Sequence, residues 1–362
     1  MFYLVTLICA VLYSLFIIFI ITGLFRHDLS EISLSKELPK VSVVIAARNE
    51  EKNLPDLIHD LVNQEYPLNK LEIIFIDDRS SDQTKAILDK ASGDYGFINY
   101  ISITEKSLEM TPKKHALTIG IDSAVGDIIV STDADCRVGH LWVSSMAYSV
   151  INNNSISIGY SKIKGSLFFE NYQKIDFLGI MAANAGAGGW NQFWSGSGQN
   201  LAYFKNDFTI IDGFNPVKEK ISGDDMYLVQ SITKFRKGII NIDKNSFVET
   251  EPMKTVKGFI NQRIRWSSNA KLNFRGNLFF FSFLLSTLLI NCNILISLLT
   301  NQFLISLFLL KLICDGLVLF FGSKLFNTNI SFIPFLIWSI IQPFYIPLIS
   351  ILGLKEKFTW KQ

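Results

Sequence analysis

Histidine and cysteine are scarce, with four of each in 362 residues. Cys9, Cys136, Cys292 and Cys314 form no CxxC pair, lie near no histidine cluster, and three of them sit in apolar runs, which argues against a disulfide framework and against a zinc site. A strong charge of either sign is also missing. The 34 Lys and Arg against 32 Asp and Glu leave a net +2 at pH 7, so the sequence gives no support for a nucleic-acid partner, which would need a pronounced basic face. No Ser/His/Asp arrangement stands out for covalent catalysis. What the chain has in excess is apolar character: 49% hydrophobic residues and a mean hydropathy of +0.29, unusual for a purely soluble enzyme.

The apolar residues are gathered in runs. Phe2 to Phe25 contains no charge and, at 1.5 Å per helical residue, is long enough to cross a hydrocarbon core of about 30 Å. A cleaved secretory signal is the rival reading. It lacks a basic n-region, its apolar run is too long, and no small-x-small site follows, so an anchor is expected. Arg26 follows the run and nothing basic precedes it, which predicts an external N-terminus and a cytoplasmic domain next. Three more runs lie near Leu278–Leu299, Gln302–Gly322 and Ile330–Leu354. Lys257, Arg263, Arg265, Lys271 and Arg275 precede the first of them and again point to the cytoplasm. Three full crossings would place Lys355, Lys357 and Lys361 outside, against the same rule. Either the rule yields or one run lies in the interface or re-enters, and Pro334, Pro343 and Pro347 single out the last. Lys311 and Asp315, four apart, are expected to pair across a helical turn, in a functional or a structural role.

Between Arg26 and Asn277 the periodicity changes to alternating strands and helices. Strands are predicted at Val41–Ala46, Leu71–Ile76, Asn99–Ile103 and Asp127–Thr132, with helices at Glu51–Asn63, Gln83–Ala91 and Lys113–Val125. Parallel strands joined by right-handed crossovers place ligands beyond their carboxyl ends. Two polar constellations fall there, Ala46-Ala47-Arg48-Asn49-Glu50 and Asp77-Asp78-Arg79-Ser80-Ser81-Asp82. Either alone could be helix capping by Asn49 or Ser81. Two on neighbouring strands suggest a grip on a base and its ribose.

Asp133 and Asp135 form a DxD at a strand end, where alternate residues of an extended chain would face one hard cation together. Two carboxylates make an incomplete cage, which the phosphate oxygens of a substrate would complete. Acidic turns are common, so the weight of this pair comes from its position after a βαβ unit. Asp224 and Asp225 open an apparent helix, where N-capping would need only one of them. Gln262-Arg263-Ile264-Arg265-Trp266 stands just before the membrane, and by itself would also suit an interfacial helix.

Taken in order, these segments resemble glycosyltransferase family 2, in its membrane-integrated branch with cellulose, chitin and hyaluronan synthases and ceramide glucosyltransferase. The resemblance covers nearly the whole chain, from Val43–Glu50 through Ile76–Asp82, Asp133 and Asp135, Ser195–Tyr203 and Asp224-Asp225 to the QxxRW of Gln262, Arg265 and Trp266. It departs at Arg79, where the family usually has Gly, and at Asp224, where the acidic pair is most often Glu-Asp. It implies an α/β, GT-A (Rossmann-like) cytosolic domain flanked by transmembrane helices, and a single inverting displacement on a UDP-sugar. It assigns Asp225 as catalytic base beside Asp224, with Mg2+ or Mn2+ on Asp133 and Asp135. Donor contacts fall to Ala47, Arg48, Glu50, Asp77, Asp78, Lys113, Asp133, Gln262, Arg265 and Trp266, and the acceptor side to Gly198 and Asn200. Arg265, with Lys113 behind it, is the cation expected to help neutralise the departing diphosphate.

The expected organisation is an anchor at residues 1–25, the transferase domain with its juxtamembrane segment at 26–277, a membrane bundle at 278–354 and a basic tail at 355–362. The expected setting is a bacterial inner or cell membrane, with the catalytic domain in the cytoplasm. The acceptor is a lipid, a lipid-linked sugar or a growing polysaccharide. The motifs do not decide among them, but three or four crossings build few polymer channels without a partner subunit or oligomer, which favours a lipid. A non-catalytic scaffold would have lost the base or a metal ligand, and a nucleotidyltransferase would not explain Asp225 or QxxRW.

Overall fold

A computed structural model describes residues 2–27, 38–300 and 305–355. The chain divides into two compact units whose segments alternate along the sequence: His27–Lys162 with Ser195–Glu251, and Met1–Arg26 with Ile163–Trp194 and Pro252–Gln362. The organisation expected above follows chain order, whereas these units interleave.

The first unit is built on a seven-stranded sheet. Strands β1 (Val41–Ala47), β2 (Leu71–Asp78), β3 (Ile98–Ile103) and β4 (Ile128–Ser131) are parallel, and helices Leu54–Val62, Thr84–Asp94 and Pro112–Ser123 connect them. β1, β2 and β4 read as nearly unbroken Val/Ile runs because both of their faces are covered. Further on come β5 (Cys136–Val138), β6 (Ser155–Gly159), β7 (Ser161–Ile163), β8 (Leu201–Phe204), β9 (Lys237–Asn241) and β10 (Val248–Thr250). The large sheet has the order β3-β2-β1-β4-β8-β6-β9, with β8 antiparallel to both of its neighbours, and β5-β10-β7 form a small second sheet. The winding reverses between β1 and β4, which opens a crevice at their carboxyl ends. β2 runs two residues beyond its expected end, so Asp77 and Asp78 are its last residues, and Asp77 is level with Ala47 of β1. The helix expected from Glu51 starts only at Leu54, with Pro55 in its first turn, where a missing N–H costs nothing.

The second unit is helical. Phe2–Leu24, Leu278–Leu299, Ile305–Leu325 and Phe332–Leu354 are long and apolar enough to cross a membrane. The expected run from Gln302 begins outside the described residues, and its helix continues to Leu325. Two helices from the stretch read as transferase domain, Phe168–Gly188 and Val256–Ser267, belong to this unit too. Small residues explain how the first of them packs. Gly186 and Gly189 meet the backbone of Ile20 and Gly23 so closely that no Cβ fits at Gly186, and Gly322 abuts Ala182. Lys311 and Asp315 form their expected pair, and the Tyr13 hydroxyl donates to Asp315.

Candidate active site

The loops after β1 and β2 are laced together. Asn49 accepts from the Ser81 N–H at 2.8 Å while its own N–H donates to Ser80 Oγ at 3.0 Å. The Glu50 N–H donates to Thr84 Oγ1 at 2.8 Å, and the Glu51 N–H to Asp82 at 3.1 Å. Neither Asn49 nor Ser81 caps a helix; the N-cap positions are Asn53 and Gln83. The polar residues are spent on joining the strand ends.

Asn49 and Arg79 both have left-handed backbones, at φ 55° and 58°. This accounts for a glycine being usual at position 79, since a side chain there carries strain. Arg79 offsets that strain with a fork onto Asp78, at 2.7 Å from Nε and 3.1 Å from Nη2, and Arg48 stands 3.7 Å from the same carboxylate. Asp78 is thus engaged with two arginines. Asp77 is buried and accepts from the Ser80 N–H at 3.1 Å. Ala47 is buried at the strand end, and Glu50 is buried with Asn53 donating to it at 2.6 Å.

β4 ends at Ser131. Asp133 to Cys136 is a turn closed by the Cys136 N–H on the Asp133 carbonyl at 3.1 Å, so the extended DxD expected above is corrected to a tight turn. The reason is local: β5 starts at Cys136 and pairs with β10 in the other sheet, so the chain must change direction within four residues. Lys113, from the first turn of Pro112–Ser123, donates to Asp133 Oδ1 at 2.7 Å. Burial works against the Lys113 charge, but Asp133 and Asp224 outweigh it and hold the ammonium protonated well above its usual range. Burial, reinforced by Asp133 and Asp135, likewise keeps the Cys136 thiol protonated.

Asp224 and Asp225 occupy the first turn of helix Asp224–Ile232, after Gly223 at φ 84°. Asp225 accepts from the Met226 N–H at 2.7 Å and the Gly198 N–H at 3.2 Å. A Cβ on Gly198 would stand 3.7 Å from both Asp224 Oδ2 and Lys113 Nζ, so Gly198 is the point on which both acids and the lysine converge. Behind the acids lies an apolar recess of Val44, Leu117, Leu201, Tyr203, Phe214 and Leu228. Burial there, with the charge of Asp224, raises Asp225 to about 6, despite its two N–H donors and Lys113.

Asn200 is not on an open acceptor side. It is fully buried, accepts from Trp142 Nε1 at 2.9 Å and donates to the carbonyls of Tyr160 and Ser246 at 3.0 and 2.7 Å. Three partners in the core leave that amide a structural role, and its expected assignment is corrected accordingly.

Gln262, Arg265 and Trp266 lie on helix Val256–Ser267 of the helical unit. Gln262 accepts from Arg263 at 2.5 Å, while Arg265 and Trp266 are half-buried. The residue held most firmly is one the motif leaves variable. Arg263 is 3% exposed, pairs with buried Asp176 at 2.6 Å, and lies 4.1 Å over the Trp266 ring. Trp338 donates to the other oxygen of Asp176 at 3.1 Å. The one signal for Asp176 in the sequence was an acid inside an otherwise apolar helical stretch.

Two hard carboxylates on one turn suit a divalent cation that also binds substrate oxygens. Among the described residues no third Asp, Glu, His or Cys completes a cluster, and the Lys113 ammonium already stands on Asp133 as a cation would.

Residues 42–224, just over half of the chain, match the model of the family described as Glycosyl transferase family 2. A Bacillus subtilis protein named "Probable glycosyltransferase YdaM" is 34% identical over 157 residues, 41% of this chain and 37% of that protein. The beta-monoglucosyldiacylglycerol synthase of Trichormus variabilis is 37% identical over 114 residues, 31% of this chain and 23% of that protein. The matches therefore span well under half the length of these curated relatives. A solved mannosyltransferase, PcManGT from Pyrobaculum calidifontis in complex with GDP-Man and Mn2+, superposes on 99% of this chain and 100% of its own with a TM-score of 0.65. At 16% identity that likeness is one of fold, and the fold is GT-A. With its family match over most of the sheet unit and that fold around it, the chain belongs to glycosyl transferase family 2.

Proposed function

We propose that the protein is a membrane-bound, metal-dependent, inverting glycosyltransferase that passes a sugar from a nucleotide donor, a UDP-sugar in this reading, to a lipid or lipid-linked acceptor. The observation that carries this is the meeting of Lys113, Asp224 and Asp225 at Gly198, with Lys113 bound to Asp133. Asp225 is the base. Its Met226 and Gly198 hydrogen bonds fix its orientation, and its raised pKa places it near neutrality, where a carboxylate accepts a proton most usefully. The acceptor oxygen bonds to the anomeric carbon as the carbon–oxygen bond to the diphosphate breaks, and the acceptor's proton passes to Asp225. No covalent enzyme intermediate is needed.

Asp133 and Asp135 would hold the cation, which supplies charge neutralisation for the departing diphosphate. Lys113 adds a fixed positive charge at the same place. The laced loops after β1 and β2 present Ala47, Arg48, Glu50, Asp77 and Asp78 to the base and ribose. Since Arg79 and Arg48 engage Asp78, that carboxylate acts by positioning the arginines. The lipid acceptor draws support from the four apolar helices and from the name of the Trichormus variabilis synthase, whose product is a glycolipid.

The test is to incubate the protein in lipid with Mn2+ and a panel of UDP-sugars, with GDP-mannose alongside, and to follow nucleotide release and product mass. Release with one donor, lost on chelation and restored by Mn2+ or Mg2+, supports the reading, and product mass separates a glycolipid from a polymer. No release with any donor when membrane lipids are supplied would overturn it.

A further inference from the structure

Contacts among the apolar helices fix which ends share a side. The Tyr13 hydroxyl reaches Asp315 and the Phe25 ring lies 4.9 Å from Phe321, so Phe2–Leu24 and Ile305–Leu325 run in the same direction. Leu278–Leu299 runs opposite: Thr6 bonds Asn293 at one end, and Phe16 and Phe19 meet Phe279 at the other. If these three helices cross, Leu24, Leu278 and Leu325 end on one side. The last helix, Phe332–Leu354, begins there as well, because only residues 326–331 separate it from Leu325.

Its far end returns to that side. A Cβ on Gly353 would stand 2.7 Å from Ser267 Oγ and 3.0 Å from the Ser267 backbone, and Tyr345 stacks on Phe259 at 6.0 Å. Both partners are on helix Val256–Ser267, which carries Lys257, Arg263 and Arg265. Ten residues join Ser267 to Leu278, seven of them in helix Ala270–Gly276. Seven helical and three extended residues reach about 20 Å, short of a hydrocarbon core of about 30 Å. Ser267, and Gly353 with it, therefore stay on the side of Leu278. Trp338, six residues into the helix, holds Asp176 and so the Asp176–Arg263 ion pair, which a crossing helix would carry about 9 Å into the hydrocarbon at high cost. The opposite face offers Ile333, Ile340, Phe344, Leu348 and Ile351, all exposed, in one stripe at helical spacing.

We infer that Phe332–Leu354 does not cross the membrane but lies in its interface, with this stripe in the lipid leaflet and Trp338, Tyr345 and Gly353 on the signature helix and its ion pair. The chain then crosses three times. Arg26, Lys257, Lys271, Lys324 and Lys355 all fall on one side, and the sequence between Leu299 and Ile305, which joins the two spans at their other ends, has no charge. The inference rests on the three other helices as spans and not on the transferase reading.

The test reads sidedness and depth without activity. In a full-length background with Cys292→Ala, single cysteines at Lys355, Lys257 and Thr300 are exposed to a membrane-impermeant maleimide in sealed vesicles of each orientation. Lys355→Cys labelled in the orientation that labels Lys257→Cys, with Thr300→Cys labelled only in the other, supports the proposal. Lys355→Cys labelled with Thr300→Cys overturns it. The full chain fused after Gln362 to a fluorescent protein or to alkaline phosphatase assigns the same side should the thiol prove unreactive. Spin labels at Ile333, Phe344 and Ile351 are expected at one shallow depth, within about 5 Å, one helical turn; a steady increase in depth along the helix would also overturn the proposal.

Discussion

Arg79 shows how a single residue both carries strain and compensates for it. Its left-handed backbone favours glycine, while its guanidinium holds Asp78. Arg79→Ala keeps the strain and loses the fork, whereas Arg79→Gly loses the fork but relieves the strain. The Ala variant should be the less stable by about 1 kcal/mol, read as a lower melting temperature. Asp225 gives a second prediction. A base must be deprotonated, so kcat/KM should be level above its pKa of about 6 and fall tenfold per pH unit below it. Asp225→Asn should cut turnover by roughly 100-fold or more with the melting temperature nearly unchanged, and the acid limb should vanish with it. Asp133 and Asp225 were conspicuous in the sequence as acids at strand and helix ends, and Lys113 was singled out through the family resemblance. The role of Asn200 was not, because nothing in its neighbours tells that Trp142, Tyr160 and Ser246 surround it.

At the scale of elements, helix Val256–Ser267 is fastened by one buried ion pair. Removing one partner leaves a buried charge, so Arg263→Met or Asp176→Leu alone should cost about 3–5 kcal/mol. The double variant should lose far less than the sum, and thermal melts of the four proteins in detergent would measure the coupling. The strands and crossover helices of the first 130 residues stand close to where periodicity predicted them. The DxD does not, since periodicity describes a strand but not where it stops, and pairing of Cys136 with the second sheet turns the chain just beyond Ser131.

At the scale of the whole molecule, the last helix either spans or serves as a floor for the signature helix. As a floor it is dispensable for insertion, so a chain ending at Asn329 should reach the membrane in similar yield with the remaining spans in place. Without Trp338 on Asp176 and Tyr345 on Phe259, its melting temperature should fall by more than roughly 5 °C, seen by thermal scanning of the purified protein. By itself the sequence determined the alternation of strands and helices, the apolar runs and the acidic and basic residues at their ends, because hydrophobic period and charge are local properties. Only the tertiary structure decided that segments far apart in sequence interleave into two units, that Asp176 meets Arg263, that Asn200 is core, and that Gly353 returns to Ser267. Those are contacts between residues tens to hundreds of positions apart, and no local pattern encodes which pairs meet.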